Sequence, residues 1–178
     1  MSKKVLVLSS SPRSGGNSDL LCDRFTTGAQ EAGHQTEKIF LKDKKINYCN
    51  GCNACLKNKR CTQKDDMAEV LEKIIAADVI VMATPVYFYT MCAQMKTVID
   101  RTYARYTEIT NKEFYFIATA AVKSQQAMER TLESFRGFTS CLSGPKEKGV
   151  ILVPGVWNIG DVKKSDAMNK AFEMGKKV

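Results

Sequence analysis

A short stretch near the start of the chain combines residue types that can bind an anion. Residues 5–8 are all apolar and predict a strand that is buried on both faces. A polar loop follows directly, and an amphipathic helix begins near Ser18, with Asn17 or Ser18 as a suitable N-cap. Its N-terminus would present unpaired N–H groups and the positive end of its dipole, while Arg13 can neutralise negative charge. The stretch therefore predicts a phosphate site, and the side chains expected to bind the phosphate are Ser9, Ser11, Arg13, Asn17 and Ser18.

The same stretch lacks two common nucleotide-binding motifs. It has no Gly-x-x-x-x-Gly-Lys-Ser/Thr sequence, which argues against a nucleoside triphosphate. It also has no Gly-x-Gly-x-x-Gly sequence, which weakens a dinucleotide interpretation. A ligand with a single phosphate fits best, and a capped helix without any ligand is the structural alternative.

Four cysteines lie close together in a polar segment, with the spacing Cys-x2-Cys-x2-Cys-x5-Cys. Thiolates at this density can hold a [4Fe–4S] cluster, which four cysteines commonly ligate. Zinc is a second interpretation, although four-thiolate zinc sites usually consist of two separated pairs. Free thiols in a polar loop are the third, because a disulfide framework is not expected inside the cell. The candidate metal ligands are Cys49, Cys52, Cys55 and Cys61.

Composition and charge narrow the class of protein further. The chain has 178 residues, 44% of them apolar, which suits one globular domain over residues 1–178. The net charge of +8 comes mainly from dispersed lysines, which favours a solvated surface over nucleic-acid binding. No apolar run approaches the roughly 18 residues of a membrane span and no signal peptide is visible, so we expect a cytoplasmic protein that binds no membrane. The only histidine, His34, disfavours hydrolase sites that need a histidine base.

Alternating strand and helix patterns must position these residues. Strands are predicted over residues 5–8, 35–41, 78–83, 113–120 and 148–153. Helices are predicted over residues 18–32, 67–77, 91–105, 125–142 and 161–177, and residues 84–89 are expected to form a loop because of Pro85. This alternation is typical of a parallel sheet covered by helices on both faces. We therefore predict a flavodoxin-like three-layer α/β/α fold with a five-stranded parallel sheet in the order 2-1-3-4-5, whose ligand lies beyond the carboxyl ends of the strands.

Five segments resemble the NADPH-dependent FMN reductase family. Residues 10–18 (Ser-Ser-Pro-Arg-Ser-Gly-Gly-Asn-Ser) resemble its phosphate loop, although the family more often has glycine where Ser10 stands. Residues 84–89 (Thr-Pro-Val-Tyr-Phe-Tyr) are similar to its isoalloxazine loop, and residues 93–101 are similar to the helix that follows. Residues 51–67 resemble its iron–sulfur flavoprotein branch, and residues 155–162 resemble its C-terminal Gly-Asp loop. The five matches span nearly the whole chain in the family's order.

The resemblance implies bound FMN and a homodimer with the flavin near its interface. It implies that one loop lies along the flavin ring, formed by Pro85, Val86, Tyr87 and Phe88. It also implies that small residues after the fourth strand let the backbone approach the ring, and these are Thr119, Ala120 and Ala121. Residues 155–161 would form a lid over the flavin of the same chain or over a partner's site.

The resemblance also implies an activity. It indicates an FMN-dependent NAD(P)H oxidoreductase that passes electrons to a quinone, a flavin or another small acceptor. The cofactor performs the redox chemistry, so no catalytic acid or base is expected. The alternative is an iron–sulfur flavoprotein, an electron-transfer module with a [4Fe–4S] cluster on the cysteine loop (residues 49–61) and a ferredoxin as partner. A phosphate-binding regulatory protein without redox activity is a third interpretation.

Overall fold

A sheet built on five parallel strands forms the centre of the computed structural model, which describes residues 1–178. Its strands are β1 (Lys4–Ser9), β2 (Gln35–Phe40), β3 (Val79–Tyr87), β4 (Thr90–Met91), β5 (Glu113–Thr119) and β6 (Lys146–Val153). The spatial order is β2-β1-β3-β5-β6, and the two-residue β4 pairs antiparallel with β3 alone. The five long strands therefore have the predicted order 2-1-3-4-5, and β4 was not predicted. The order reverses between β1 and β3, whose carboxyl ends lie side by side.

The central strands are apolar because both of their faces are covered. Val7, Val81 and Ile117, one from each of β1, β3 and β5, are fully buried. Alternate residues of these strands contribute to two separate hydrophobic clusters, one on each side of the sheet. The edge strand β2 consists of exposed and partly buried residues and buries only Ile39, which explains its weaker sequence signal.

The chain has six helices, five of which cover the sheet, and the predicted three layers are confirmed. They are α1 (Asn17–Glu31), α2 (Ala54–Asn58), α3 (Met67–Ala76), α4 (Ala93–Arg101), α5 (Glu129–Thr139) and α6 (Ala167–Lys176). Helices α1 and α6 pack together on one face, and α3, α4 and α5 cover the other. The short α2 was not predicted, and α4, α5 and α6 are shorter than predicted because 3₁₀ turns replace some of their terminal turns. None of the helices has the length and hydrophobicity that a membrane crossing requires.

The prediction of a loop over residues 84–89 was wrong for its first half. Strand β3 continues through Pro85 to Tyr87, because the fixed φ of proline is compatible with extended backbone. A two-residue turn at Phe88 and Tyr89, with φ of 48° and 64°, then leads into β4. Positive φ at both central residues is typical of a type I′ turn, so these aromatics stand where glycine or asparagine is usual.

The contact between α1 and α6 depends on glycine, which leads to a first prediction. A Cβ atom on Gly28 would lie 2.1 Å from the Phe172 carbonyl oxygen, and one on Gly175 would lie 2.1 Å from the Phe25 carbonyl oxygen. We expect Gly28→Ala to lower the free energy of unfolding by about 1–3 kcal/mol in urea denaturation, because the helices must move apart. Gly137 in α5 has open space around it, so Gly137→Ala should instead raise stability by about 0.5–1 kcal/mol. Equal effects of the two substitutions would contradict this account of the contact.

Candidate functional site

A pocket of about 180 Å³ opens beyond the carboxyl ends of β1, β3 and β5. We call it the anion pocket, and its lining consists of Ser11, Arg13, Gly16, Asn17, Ser18, Pro85, Val86, Tyr87, Thr119, Ala121, Val156, Trp157 and Ile159. The structure thus brings together most of the residues predicted to bind a cofactor. Among those predicted residues, Ser9, Phe88 and Ala120 do not line it. Gly16 was not predicted as a site residue, and Val156, Trp157 and Ile159 belong to the segment that was predicted as a lid without individual site residues.

Ser9 lies beneath the phosphate loop and does not reach the pocket. Its buried hydroxyl donates a hydrogen bond of 2.8 Å to Oδ1 of Asp19. Asp19 also accepts a hydrogen bond of 3.1 Å from the Gly15 amide and pairs with Lys38 at 2.5 Å. Ser9 therefore helps to fix the loop from below rather than facing a ligand.

Ser11 and Gly16 shape the loop itself. The Ser11 hydroxyl donates to the Arg13 carbonyl at 3.0 Å and accepts from the Arg13 amide at 3.1 Å, which closes a tight turn. A Cβ atom on Gly16 would lie 2.6 Å from Ser11 Oγ and 3.0 Å from the Arg13 carbonyl oxygen. Only glycine fits there without a shift of the loop, so the backbone stays open to a ligand.

The first turn of α1 leaves hydrogen-bond donors free on the pocket wall. The prediction that Asn17 or Ser18 caps the helix was wrong, because the N-cap is Gly16 and no side chain caps it. Ser18 belongs to the pocket lining, and its buried hydroxyl has no hydrogen-bond partner. A buried polar group without a partner destabilises the fold, and an anion in the pocket would supply the missing acceptor.

Asn17 and Arg13 connect the phosphate loop to residues 155–162, the segment we call the C-terminal loop. The Asn17 amide donates to the Asn158 carbonyl at 3.0 Å and accepts from the Val162 amide at 3.1 Å. The Arg13 guanidinium donates to the Trp157 carbonyl at 3.2 Å. Arg13 is also the one charged side chain that lines the pocket. Asn17 was predicted as a phosphate ligand, and the structure shows it binding the C-terminal loop.

Asp161 gives the C-terminal loop its shape. Its carboxylate accepts hydrogen bonds from the Asn158 amide at 2.7 Å and the Trp157 amide at 3.1 Å. These two amides hold the pKa of Asp161 below its ordinary value. The result is a pocket wall formed by Trp157 and Ile159, whose side chains are largely exposed.

The β3–β4 hairpin (residues 84–91) forms the opposite wall. The Thr84 hydroxyl donates to the Pro85 carbonyl at 2.8 Å and accepts from the Cys92 amide at 3.0 Å, which fixes the start of the hairpin. Tyr87 lines the pocket and is about half exposed, whereas Phe88 is fully exposed at the tip of the turn. Phe88 was predicted to lie along the ligand, and the structure places it outside the pocket.

Small residues that follow β5 form the floor of the anion pocket. Thr119 and Ala121 line the pocket. Ala120 is buried, and its backbone binds the Val153 carbonyl at 3.0 Å and the Val156 amide at 2.9 Å. Ala120 therefore supports the C-terminal loop instead of contacting the pocket.

Ser10, which departs from the family pattern, does not distort the loop. Its buried hydroxyl donates to the Ala83 carbonyl at 2.7 Å, and the Cys92 thiol donates to the Ser10 carbonyl at 3.1 Å. The Ser10 side chain thus links the end of β1 to β3 behind the pocket. The hydroxyl that a glycine would lack has a hydrogen-bond partner there.

The cysteine loop lies at a second pocket, of about 220 Å³, and all four predicted ligands line it. Cys49 and Cys52 are exposed, whereas Cys55 and Cys61 are partly buried. The Ala54 amide and the Thr62 hydroxyl hold the pKa of the Cys52 thiol below its ordinary value. No three histidine, cysteine or acidic side chains are positioned to hold a single metal ion. The four cysteines nevertheless share one pocket lining, which is the common surface that a group with four cysteine ligands requires.

The fold defines a flavodoxin-like α/β protein, and the anion pocket lies at the switch point between β1 and β3. The sequence model of the NADPH-dependent FMN reductase family matches residues 3–146. The chain therefore belongs to the NADPH-dependent FMN reductase family.

Individual proteins are similar over different shares of the chain. An iron-sulfur flavoprotein from Archaeoglobus fulgidus is 40% identical over 98 residues, which cover 55% of this chain and 44% of that protein. An iron-sulfur flavoprotein from Methanocaldococcus jannaschii is 43% identical over 98 residues, 55% of this chain and 51% of that protein. The chain thus spans about half the length of these curated relatives. An NAD(P)H:quinone oxidoreductase from Methanothermobacter marburgensis has a similar fold, with a TM-score of 0.75 and 18% identity over 99% of this chain and 97% of that one.

Proposed function

We propose that this protein is an FMN-dependent oxidoreductase that takes electrons from NAD(P)H and passes them to a quinone, a free flavin or another small acceptor. The observation that carries the proposal is that Ser18 belongs to the lining of the anion pocket and that its buried hydroxyl has no hydrogen-bond partner. Arg13 beside it supplies positive charge, and membership of the FMN reductase family supports FMN as the source of the phosphate.

The residues that line the pocket are of the types that would bind the phosphate and the ring of FMN. Ser11, Arg13, Ser18 and the free amides of the first turn of α1 would hold its phosphate. The hairpin wall at Pro85–Tyr87 and the small floor residues would hold the ring, and Tyr87 would cover part of it. Bound FMN supplies the redox chemistry, because it can exchange one or two electrons. The chain itself binds and orients the cofactor, and no side chain is assigned a proton-transfer role.

Titration with FMN tests this proposal directly. We expect the protein to quench flavin fluorescence with one FMN per chain and then to oxidise NADPH or NADH when a quinone is present. FMN binding without turnover would argue against the reductase and leave a flavin-binding protein. No binding of FMN, even in excess, would overturn the proposal.

Ser18→Ala should separate stability from cofactor binding. The substitution removes an unsatisfied buried hydroxyl, so the FMN-free protein should be as stable as the wild type or up to about 1 kcal/mol more stable. FMN binding should weaken by at least about tenfold, because a hydrogen bond to a charged group contributes about 1.5–3 kcal/mol. Both quantities can be measured by thermal unfolding and by flavin fluorescence titration.

Thr131 offers a matched control for this substitution. Its hydroxyl is also buried without a partner, but it lies in α5, away from the anion pocket. Thr131→Val should therefore change stability in the same direction and leave FMN binding unchanged. Unaltered FMN affinity in Ser18→Ala would show that the hydroxyl does not bind the phosphate.

A second candidate function follows from the cysteine loop. We also propose an electron-transfer role in which Cys49, Cys52, Cys55 and Cys61 ligate a [4Fe–4S] cluster that exchanges electrons with a ferredoxin. The supporting observation is that all four thiols line one pocket, and the iron-sulfur flavoproteins named above are relatives of this chain. A homodimer that brings the exposed aromatics of the hairpin to an interface is part of both proposals.

An anaerobic absorption spectrum with iron and sulfide assays distinguishes the two functions. Flavin bands with a shoulder near roughly 400 nm and about four irons per chain would support the electron-transfer role. Cys55→Ser should then lose the iron, whereas Cys141→Ser, which changes an exposed cysteine outside the loop, should retain it. Flavin bands without iron after reconstitution would remove the cluster and leave the reductase.

A further inference from the structure

One buried carboxylate connects four elements beneath the anion pocket. Asp19 lies in the first turn of α1, and its side chain is 7% exposed. Its Oδ1 accepts a hydrogen bond of 2.8 Å from the Ser9 hydroxyl at the end of β1, and its Oδ2 accepts one of 3.1 Å from the Gly15 amide in the phosphate loop (residues 10–18). Oδ1 also pairs with Nζ of Lys38, from β2, at 2.5 Å. Neither Asp19 nor Lys38 lines the anion pocket, so neither touches a ligand there.

The bond from Gly15 fixes the phosphate loop where it enters α1. Gly15 has a φ of 65° and directly precedes Gly16, the N-cap of the helix. A glycine has little conformational preference of its own, so its backbone angle must be held by its contacts. The next residues, Asn17 and Ser18, line the pocket. The Asp19 carboxylate therefore helps to set the direction in which the first turn of α1 meets a ligand.

A carboxylate beneath an anion pocket opposes the binding of a phosphate unless its charge is balanced. The Lys38 ammonium supplies this balance and also pairs with Asp23 at 2.6 Å. Although burial opposes the positive charge, the bonds to Asp19 and Asp23 hold the pKa of Lys38 above its ordinary value. The lysine therefore stays charged at neutral pH, and the negative charge of Asp19 is compensated where it lies.

We propose that Asp19 and Lys38 are positioning residues for the FMN phosphate. Asp19 holds the phosphate loop in shape through the Gly15 amide, and Lys38 cancels the charge of Asp19 so that the loop still attracts an anion. The contacts within the protein do not depend on the function proposed above, whereas their consequence for FMN rests on it. Because one residue supplies shape and the other supplies charge, substitutions can separate the two roles.

Two substitutions of Asp19 test its role in shaping the loop. Asp19→Asn keeps an oxygen for the Gly15 amide and gains a nitrogen that can donate to the Ser9 hydroxyl, so it should not weaken FMN binding. Asp19→Ala leaves both groups without their partner. It should weaken FMN binding by at least about tenfold, the lower end of the effect that supporting groups have at metal sites. Riboflavin, which has no phosphate, should bind all three proteins about equally, which also shows that the variants are folded. Asp19→Ala with the wild-type preference for FMN over riboflavin would overturn the proposal.

Substitution of Lys38 tests the balance of charge. Lys38→Met leaves the Asp19 carboxylate without its counter-ion and should lower FMN affinity by at least about fivefold, the lower end of ordinary coupling between sites. Adding Asp19→Asn to Lys38→Met should restore it. Lys42→Met is the control, because both lysines lie over the Phe40 ring, at 5.6 Å for Lys38 and 4.6 Å for Lys42, but Lys42 pairs with the largely exposed Asp43. The same preference for FMN over riboflavin in Lys38→Met and Lys42→Met would overturn the role of Lys38.

Amide hydrogen exchange of the FMN-free protein, followed by NMR, tests the loop contact independently of the proposed function. The Gly15 amide should exchange slowly in the wild type and in Asp19→Asn, and faster in Asp19→Ala. The Gly33 amide, which donates to the Gln30 carbonyl at 2.9 Å, is the control and should exchange equally in all three. Equal exchange of Gly15 in all three proteins would overturn the positioning role of Asp19. Failure of the wild type to bind FMN would refute the proposed function, and the exchange of Gly15 would still decide on the contact.

Discussion

Replacing Arg13 with glutamine is expected to weaken FMN binding by a factor of at least about 30. Arg13 is the one charged side chain that lines the anion pocket, so it alone can neutralise a bound phosphate by direct pairing. Removal of one partner of a hydrogen-bonded charge pair costs about 2–5 kcal/mol, and about 1.4 kcal/mol corresponds to a tenfold change in affinity. Fluorescence titration with FMN measures the effect. Riboflavin, which has no phosphate, should lose little affinity in the same variant, so the preference for FMN should shrink.

Arg130→Gln is the matched control for this prediction. Arg130 lies over the ring of Tyr89, 5.9 Å from its centre, and does not line the anion pocket. Its substitution removes the same charge close to the hairpin, so long-range attraction falls equally while the direct contact survives. FMN affinity should change by less than about threefold, because an exposed charge contributes about 0–1 kcal/mol. If Arg13→Gln kept the wild-type preference for FMN over riboflavin, the phosphate would have to bind elsewhere.

The fold was predictable because its strongest signals are local. The strands at the centre of the sheet are apolar on both faces, and their apolar runs alternate with helical patterns, which predicts a parallel sheet without any knowledge of contacts. The prediction was wrong at β4 and the last residues of β3, where pairing between strands overrides the local tendency of Pro85 to end a strand. Pairing of this kind depends on the neighbouring strand, which a local pattern does not contain.

The anion pocket was predictable in part for the same reason. Arg13 and Ser18 follow a buried strand directly and precede a helix, so their local context indicates an anion site. Trp157 joins the pocket only through hydrogen bonds that cross the fold, from Asn17 to the C-terminal loop and from Arg13 to Trp157 itself. Ser9 was predicted to bind the phosphate, but its hydroxyl donates to the buried Asp19 carboxylate. The sequence does not distinguish a serine that binds a buried carboxylate from one that faces a ligand.

The residues that hold the cysteine loop were not predictable from spacing. Asp65 looks like an acidic residue placed to favour the start of a helix, and it does accept a hydrogen bond of 3.2 Å from the Met67 amide at the start of α3. The structure also pairs it with Arg101 at the far end of α4, which the sequence did not indicate. Lys96 and Asp100, by contrast, are four residues apart on one helix and form an ion pair at 2.6 Å, as helical spacing favours. The difference is sequence separation: a pair within one helix is fixed by helical geometry, whereas the Asp65–Arg101 pair requires the tertiary fold.

Asp65→Ala is expected to lower the free energy of unfolding by about 3–5 kcal/mol. The substitution leaves the Arg101 charge buried without its counter-ion, and breaking a buried pair at one partner carries a cost of this size. Asp100→Ala is the control, because it breaks a pair whose side chains are both about half exposed and should cost less than about 1 kcal/mol. Urea denaturation of the wild type and both variants measures the difference.

The pH dependence of this loss identifies its electrostatic origin. Although burial opposes ionisation, the Arg101 guanidinium and the Asn47 and Met67 amides hold the pKa of Asp65 below its ordinary value. A carboxylate with a lowered pKa in the folded state stabilises the fold above its ordinary pKa, about 4, and this contribution is lost as pH falls through the folded value. The stability difference between wild type and Asp65→Ala should therefore be constant near neutral pH and should shrink below about pH 4. A difference that persists in acid would mean that lost packing, and not the ion pair, is responsible. Pairing Asp65→Leu with Arg101→Met should recover most of the stability, because apolar side chains can replace a buried ion pair but not half of one.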